Sequence, residues 1–236
     1  MLGQVSPTPY DLYFPLFGIP VRVTPWFWLV GVFMGWRTMQ GDEPRPDLLL
    51  IWIGCLFVSI LVHEMGHALT AKAYGWPPQV ILYHFGGVAM FAPYHGYTPR
   101  RSILISLAGP GAGFVLYGIV RAVEYALEAN GVAYNDQAWF ALVQMKWINL
   151  GWGLVNLLPV LPLDGGQVCR EVCHLLRVRD AMVTTYMVGS IVGGAAAAGF
   201  LVFREHLGIG YFPAILFGML CFSNVQMLQA HRGRSW

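Results

Sequence analysis

The chain has 236 residues, of which 56% are hydrophobic and 11% are charged. Soluble domains do not show this balance, so the composition excludes an ordinary globular enzyme and predicts a polytopic membrane protein. The formal net charge is only +2, which gives no reason to expect nucleic-acid binding.

Six apolar segments are long enough to form membrane-spanning helices, since a bilayer core about 30 Å thick requires about 20 residues. The predicted spans are residues 24–41, 48–74, 101–123, 138–158, 181–203 and 209–230. Pro25 opens the first of them, and Arg37 lies near its end. The predicted fold class is therefore an all-α polytopic membrane protein, with residues 1–236 forming a single integral membrane domain.

The second predicted span contains His63, Glu64 and His67 in the pattern His-Glu-Met-Gly-His. Two imidazoles four residues apart share one helix face and can both ligate one Zn²⁺, while Glu64 is placed to take a proton from water that the metal activates. Ionisable groups are costly to bury in hydrocarbon, so their presence at membrane depth indicates a functional site. The alternative is a chance match in a water-facing helix end.

Residues 79–93 follow the second span and are too short and too rich in glycine to cross a membrane. Apolar residues stand on both sides of Gly86 and Gly87, a pattern typical of a β-hairpin with a flexible turn at the glycines. We expect this small hairpin to be membrane-associated, and its edge can pair with an unwound substrate segment by strand addition. The alternative is a surface β-turn without a role in substrate binding.

The third and fourth predicted spans each contain an unusual feature. Residues 108–113 are small apart from Pro110, which predicts close packing between helices. Lys146 lies inside the fourth span. It can extend outward to the membrane surface, line an aqueous cavity or pair with Glu124, and structural accommodation explains it better than catalysis.

A catalytic zinc usually has three protein ligands and one open position, so a third ligand is needed. Asp164 follows the fourth span just after Pro159 and Pro162, which break the helix. Irregular backbone at membrane depth is tolerated where it lines a cavity, and Asp164 is therefore the candidate third ligand. The alternative is that Asp164 belongs only to a turn where the chain leaves the membrane. Residues 167–178 then predict a short amphipathic helix on the membrane surface.

The distribution of basic residues predicts that both termini and the active site face the cytoplasm, because cytoplasmic loops carry an excess of Lys and Arg. In this topology the inside has Arg22, Lys72, Arg100, Arg101, Arg170, Arg177, Arg179, Arg232 and Arg234, and the outside has only Arg37, Arg45, Arg121 and Arg204. The expected location is a prokaryotic inner membrane.

Several motifs resemble, in order, those of the site-2 protease family, the intramembrane zinc metalloproteases of peptidase family M50. They are residues 63–67, Gly86 and Gly87, residues 108–110 and residues 156–165, and residues 17–23 look like that family's N-terminal strand. The resemblance implies that Asp164 is the third zinc ligand and that Asn156 and the Gly86-Gly87 hairpin help to hold the substrate. It also implies a minimal member without a PDZ or CBS domain. Gly113 departs from the pattern, since relatives often have a polar residue there.

The resemblance implies that the protein is an endopeptidase with one Zn²⁺ per chain. This endopeptidase is expected to cleave a transmembrane segment of a membrane-tethered substrate in regulated intramembrane proteolysis. The expected partners are a single-pass membrane protein substrate, the lipid bilayer and a regulatory membrane partner. A helical peptide bond is hidden within its own hydrogen bonds, so helix-breaking residues in the substrate should favour cleavage.

Other classes of protein remain as alternatives. A membrane zincin that trims non-membrane peptides would draw its third ligand from a later glutamate, for which Glu171 is the candidate on the cytoplasmic face. A catalytically silent binding or chaperone protein is a second alternative. A metal transporter is the third, but it would need metal ligands along both halves of a path, and the outer halves of the spans offer little beyond Lys146.

Overall fold

The computed structural model describes residues 6–40, 43–84, 86–93, 95–207 and 210–232. The strands in these ranges are β1 (Leu12–Leu16), β2 (Ile19–Val23), β3 (Pro78–Tyr83) and β4 (Gly86–Phe91). The α-helices are α1 (Pro25–Gly35), α2 (Pro46–Ala73), α3 (Pro99–Ala129), α4 (Asp136–Asn156), α5 (Asp164–Leu175), α6 (Ala181–Leu207) and α7 (Phe212–Arg232), with a 3₁₀ helix at Trp36–Met39. The described chain is therefore mostly helical.

The strands form one sheet in the order β1-β2-β3-β4. Strands β1 and β2 pair antiparallel, as do β3 and β4, whereas β2 and β3 run parallel because α1 and α2 connect them. The predicted hairpin is thus confirmed, and the expected N-terminal strand corresponds to β2. The all-α class is corrected to a mainly helical fold with a four-stranded sheet in the described residues, because β1 and β2 also join it.

The chain divides into two compact units. The first unit comprises the chain up to Gly96 together with Ala108–Gly153. Its core is formed where the inward side chains of β2 and β3 pack on α1 and on the middle and second half of α2. These residues are Ile19, Val21, Val23, Phe27, Leu56, Ile60, Met65, Ala68, Val80 and Leu82, and all are buried. The sheet is consequently fixed against the part of α2 that carries the histidine motif.

The second unit comprises Tyr97–Leu107 and Leu154–Trp236, in which α6 packs against both α5 and α7. Helices α6 and α7 approach closely at small residues. A Cβ added to Gly189 would lie only 2.5 Å from Asn224 Oδ1. A Cβ on Gly193 would likewise lie 3.3 Å from the Cys221 backbone. Glycines at these positions let the two helices approach closely, as small residues do in membrane helix pairs.

Four helices in the described part of the chain are long and apolar enough to cross a membrane. They are Pro46–Ala73, Pro99–Ala129, Ala181–His206 and Phe212–Arg232, which correspond to the second, third, fifth and sixth predicted spans. The first predicted span contains α1, which has 11 residues and rises only about 16 Å. The fourth corresponds to α4, which contains the polar residues Lys146 and Asn149 and is not one of these four helices. Six spans therefore remain a prediction. Residues 41 and 209, at the ends of two predicted spans, and Arg234 lie outside the described residues.

Candidate metal centre

His63 and His67 lie on one face of α2 because four residues make slightly more than one helical turn. Both side chains are buried, with 4% and 6% of their surface exposed. Their Nε2 atoms are 3.2 Å apart, and the two rings meet edge to face with centroids 4.9 Å apart. The two imidazole nitrogens therefore converge on one point beside the helix, as the sequence predicts for a pair of metal ligands.

The separation of these nitrogens fits a shared zinc ion. Zinc binds imidazole nitrogen at about 2.0–2.1 Å in tetrahedral geometry, which places two such nitrogens about 3.3 Å apart. The observed Nε2 to Nε2 distance of 3.2 Å agrees with this value. Imidazoles are also a donor type that zinc prefers, so His63 and His67 fit the metal both in chemistry and in spacing.

Glu64 is buried on α2 beside strand β4, with 5% of its surface exposed. Its side chain packs against the backbone of Gly87 so closely that a Cβ on Gly87 would lie 2.3 Å from Glu64 Cγ. Burial raises the pKa of the Tyr83 hydroxyl on β3, and the charge of Glu64 raises it further, so Tyr83 stays protonated near neutral pH. The hairpin therefore packs directly on the candidate general base.

The two hairpin glycines lie within β4 and do not form the turn. Gly86 pairs with Tyr83 and Gly87 pairs with Leu82 across the antiparallel ladder. Gly86 has φ +137°, a conformation that other residues rarely adopt, and a Cβ on it would lie 3.0 Å from the Trp152 ring. The sequence prediction of a glycine turn was wrong. The two glycines instead allow the backbone of β4 to lie close to the side chains of Glu64 and Trp152.

Replacement of Gly87 by Ala should slow catalysis without removing the metal ligands. The new methyl group would overlap Glu64 Cγ and force either β4 or the carboxylate to move. A displacement of about 1 Å at a catalytic group costs about a hundredfold in rate. We expect G87A to keep its metal content, measured by elemental analysis, while the turnover rate falls about a hundredfold. Gly111→Ala is the matched control because nothing lies within 4 Å of its added Cβ, and equal activity of G87A and G111A would contradict the assignment.

Helix α3 approaches α2 closely beside the histidines. A Cβ on Gly66 would lie 2.3 Å from the Ala108 carbonyl oxygen, and a Cβ on Gly109 would lie 2.1 Å from His67 Nε2. Both glycines are therefore required for the α2 and α3 backbones to come this close. The close packing predicted for residues 108–113 is confirmed at Ala108 and Gly109, and it holds the His67 ring in place.

A buried polar pair that the sequence reasoning missed lies one turn before His63. Asn149 on α4 donates from Nδ2 to Ser59 Oγ at 2.9 Å, and the same amide donates to the Met145 carbonyl oxygen at 2.7 Å. Ser59 and His63 share a face of α2, so the polar surface of this helix continues beyond the imidazoles. A serine four residues before the histidine was the available signal, but its partner lies 90 residues away.

Asp164 and Asn156 belong to the second unit, and each is placed by its local structure. Asp164 is the first residue of α5, and Asn156 is the last residue of α4 and is buried. A Cβ on Gly165 would lie 2.1 Å from the Leu157 carbonyl oxygen, so the start of α5 packs directly on the preceding loop. Asn224 of α7 donates to the Leu161 carbonyl oxygen at 2.8 Å and supports the same loop. These contacts hold Asp164 at a defined helix end, while its role as a ligand stays a prediction.

Paired imidazoles and a buried glutamate on an apolar helix define a membrane metallohydrolase type of site. Comparison with known proteins specifies the family, since the family model for peptidase family M50 matches residues 51–132 and 124–198. The chain therefore belongs to peptidase family M50, the site-2 protease family of metalloproteases, and is an integral membrane protein in contact with the lipid bilayer.

Individual relatives agree with this assignment. The chain is 34% identical over 223 residues to a putative zinc metalloprotease of Synechocystis. The alignment covers 89% of this chain and 57% of the relative. It is 31% identical over 162 residues to a zinc metalloprotease of Methanocaldococcus jannaschii, covering 67% of this chain and 44% of the relative. The chain thus spans about half the length of these curated relatives.

A solved structure has the same fold. The site-2 protease from Methanocaldococcus jannaschii aligns with a TM-score of 0.61 and 23% identity, covering 93% of this chain and 95% of that chain. At this level of identity the likeness establishes the architecture alone. It agrees with the mainly helical fold and the small sheet of the described residues.

Proposed function

We propose that this protein is a zinc metalloendopeptidase that cleaves a transmembrane segment of a membrane-tethered substrate. The observation that carries the proposal is the buried pair of imidazole nitrogens, 3.2 Å apart, beside a buried glutamate on a helix of 28 residues that is apolar enough to span a membrane. A metal site buried in such a helix is best suited to a substrate that is also in the membrane.

His63, His67 and Asp164 are the residues that would hold the zinc ion. Two imidazoles and one carboxylate form a ligand set that catalytic zinc sites use, and such sites keep a fourth position open. Asp164 is supported by its position at the start of α5, directly after the helix break at Pro159 and Pro162. When bound, zinc supplies Lewis acidity, which lowers the pKa of water and polarises a peptide carbonyl.

The residues of the chain then act as follows. Glu64 takes a proton from the attacking water and returns it to the leaving amine, as a general base and then a general acid. Asn156 donates a hydrogen bond from its amide to the substrate carbonyl oxygen as negative charge develops there. Burial of Glu64 beneath β4 limits the access of bulk water to the carboxylate.

Strand β4 is suited to hold an unwound substrate. In the described sheet β4 is an edge strand, because the strand order ends with it. Gly87 of this strand contacts Glu64, so a peptide paired with β4 would lie beside the general base. Strand addition supplies main-chain hydrogen bonds to a substrate whose own helical bonds have been broken.

The substrate should be cleaved faster when its helix unwinds easily. A glycine in place of alanine costs a helix about 1 kcal/mol, which corresponds to about a fivefold change in the unwound population. In proteoliposomes with a tagged single-pass substrate, Ala→Gly changes next to the scissile bond should raise kcat/KM about fivefold each. Ala→Leu at the same positions serves as control, because Leu keeps the helix. Equal cleavage of both series would contradict an unwinding step.

We also propose six membrane passes, with both termini and the metal centre toward the cytoplasm of a prokaryotic cell. The excess of basic residues in the loops assigned to the inside supports this orientation. In this proposal α1 with the 3₁₀ helix that follows it supplies one of the two passes beyond the four apolar helices, and α4 supplies the other. The same proposal includes control by a regulatory membrane partner, because the family resemblance implies regulated proteolysis.

Labelling of single cysteines tests the topology. Val132, Leu176 and His206 are exposed, so cysteines there would be open to a membrane-impermeant maleimide once the four native cysteines are replaced by serine. We expect V132C and H206C to react in intact cells and L176C to react only after the cells are opened. Reaction of L176C in intact cells would reverse the proposed orientation.

A further inference from the structure

A buried carboxylate on α3 pairs with two cations in the part of the first unit formed by α3 and α4. Glu124 accepts hydrogen bonds from Lys146 at Oε1 and from Arg121 at Oε2. The Glu124 side chain is 8% exposed, whereas those of Lys146 and Arg121 are 19% and 53% exposed. Two cations share one carboxylate, so the cluster has one positive charge in excess. Glu128 lies one turn further along α3, is exposed and accepts from Tyr134 at 3.3 Å.

Both cations line a cavity of about 310 Å³ between α3 and α4. Its other lining residues are aromatic or aliphatic, and the full set is Tyr117, Arg121, Val143, Lys146, Trp147 and Leu150. Glu124 is not among them, so the cavity presents the positive groups while the carboxylate lies behind them. Trp147 is 70% exposed, which leaves the apolar side of the cavity open to the surroundings of the helix pair.

We expect the cavity to lie just inside the edge of the hydrocarbon core, from where the long side chains of Arg121 and Lys146 can reach lipid headgroups. Helix α3 has 31 residues and is about 46 Å long, which exceeds a hydrocarbon core of about 30 Å. Arg121 lies about 12 Å from the C-terminal end of this helix, and therefore close to the edge of the core. Tyrosine and tryptophan, which also line the cavity, are the residues that membrane proteins place at this boundary.

We propose that this cavity is a binding site for an anionic phospholipid. The lipid phosphate binds Arg121 and Lys146 and neutralises their excess charge, which would otherwise be costly at the edge of the hydrocarbon. The planar guanidinium of Arg121 is suited to a bidentate contact with phosphate, and its half-exposed side chain leaves donors available beyond Glu124. One acyl chain lies along Val143, Trp147 and Leu150. Lys146 thus has a role distinct from the metal centre.

The test uses the full protein in a zwitterionic detergent, with phosphatidylglycerol, phosphatidylcholine or inorganic phosphate added. Near saturation we expect phosphatidylglycerol to raise the melting temperature of the wild type by about 5 °C, and phosphatidylcholine and inorganic phosphate to raise it much less. Arg121→Gln should remove the difference between the two lipids, because it removes the excess charge and keeps the Lys146 to Glu124 pair. Native mass spectrometry should show one retained phosphatidylglycerol on the wild type and none on R121Q.

Two further variants keep the outcome interpretable. Arg121→Lys keeps the charge and should retain most of the phosphatidylglycerol effect, which excludes misfolding as the cause of its loss in R121Q. Arg204→Gln is the matched control, because Arg204 also pairs with a glutamate, at 3.1 Å from Glu205, but does not line the cavity. An equal phosphatidylglycerol shift in R121Q and wild type overturns the proposal. So does equal protection by phosphatidylcholine or by inorganic phosphate, since the site would then not be specific for an anionic lipid.

Discussion

Glu64→Gln is expected to slow peptide cleavage at least about a hundredfold, the lower end of what general acid-base catalysis contributes. Glutamine keeps the size and hydrogen-bonding reach of glutamate but cannot accept the proton of the attacking water. The side chain is buried beneath Gly87, and the substitution keeps its shape, so the packing of β4 should survive. The variant should therefore fold, keep its zinc and bind substrate.

The measurement is single-turnover cleavage of a tagged single-pass substrate in proteoliposomes, with zinc content determined on the same preparation. Substrate should accumulate uncut in complex with E64Q and be recovered by co-purification. Glu205→Gln is the control, because Glu205 is exposed near the end of α6 and accepts a hydrogen bond from Arg204 at 3.1 Å. Normal cleavage by E64Q with zinc still bound would reject the protease mechanism, although the metal site would remain.

Local spacing made much of the metal centre predictable from the sequence. His63 and His67 share a helix face for the same geometric reason in any α-helix, and the apolar run around them predicted the helix. The hairpin was also predictable, because apolar segments flank a glycine pair. Its two glycines were assigned to the wrong place, since glycine permits both a turn and a close backbone approach, and only the packing of Glu64 on Gly87 distinguishes them.

Contacts between distant parts of the chain were not predictable. Strand β1 joins the sheet by pairing with β2. Its sequence includes Pro15 and its residues are exposed or half-exposed, so it has only a weak strand pattern. The Ser59 to Asn149 hydrogen bond joins residues 90 positions apart, and Asn224 reaches Leu161 across 63 positions. A single sequence has no signal for such pairs, because their chemistry is satisfied only after the helices pack. The Lys146 to Glu124 pair was one of three alternatives, and the structure selects it.

Loss of zinc on replacement of Asp164 is the second large effect that we expect. Changes to groups that only orient zinc ligands cost about 10–100-fold in metal affinity, so loss of a ligand itself should cost at least about a hundredfold. We expect Asp164→Ala and His67→Ala each to lose most of their zinc after dialysis against a weak chelator, as measured by elemental analysis. Wild-type protein treated in the same way should retain about one zinc per chain.

Asp180→Ala is the matched control for this experiment, because Asp180 lies just before α6 and pairs with His231 at 3.5 Å on an exposed surface. It should retain zinc as the wild type does, which separates ligand loss from a general effect of removing a carboxylate in the second unit. The two ligand variants also separate the competing functions. If H67A loses zinc while D164A keeps all of it, the histidine pair binds metal with a different third ligand. Glu171 would then be the next candidate, and the peptide-trimming zincin would become the better explanation of the site.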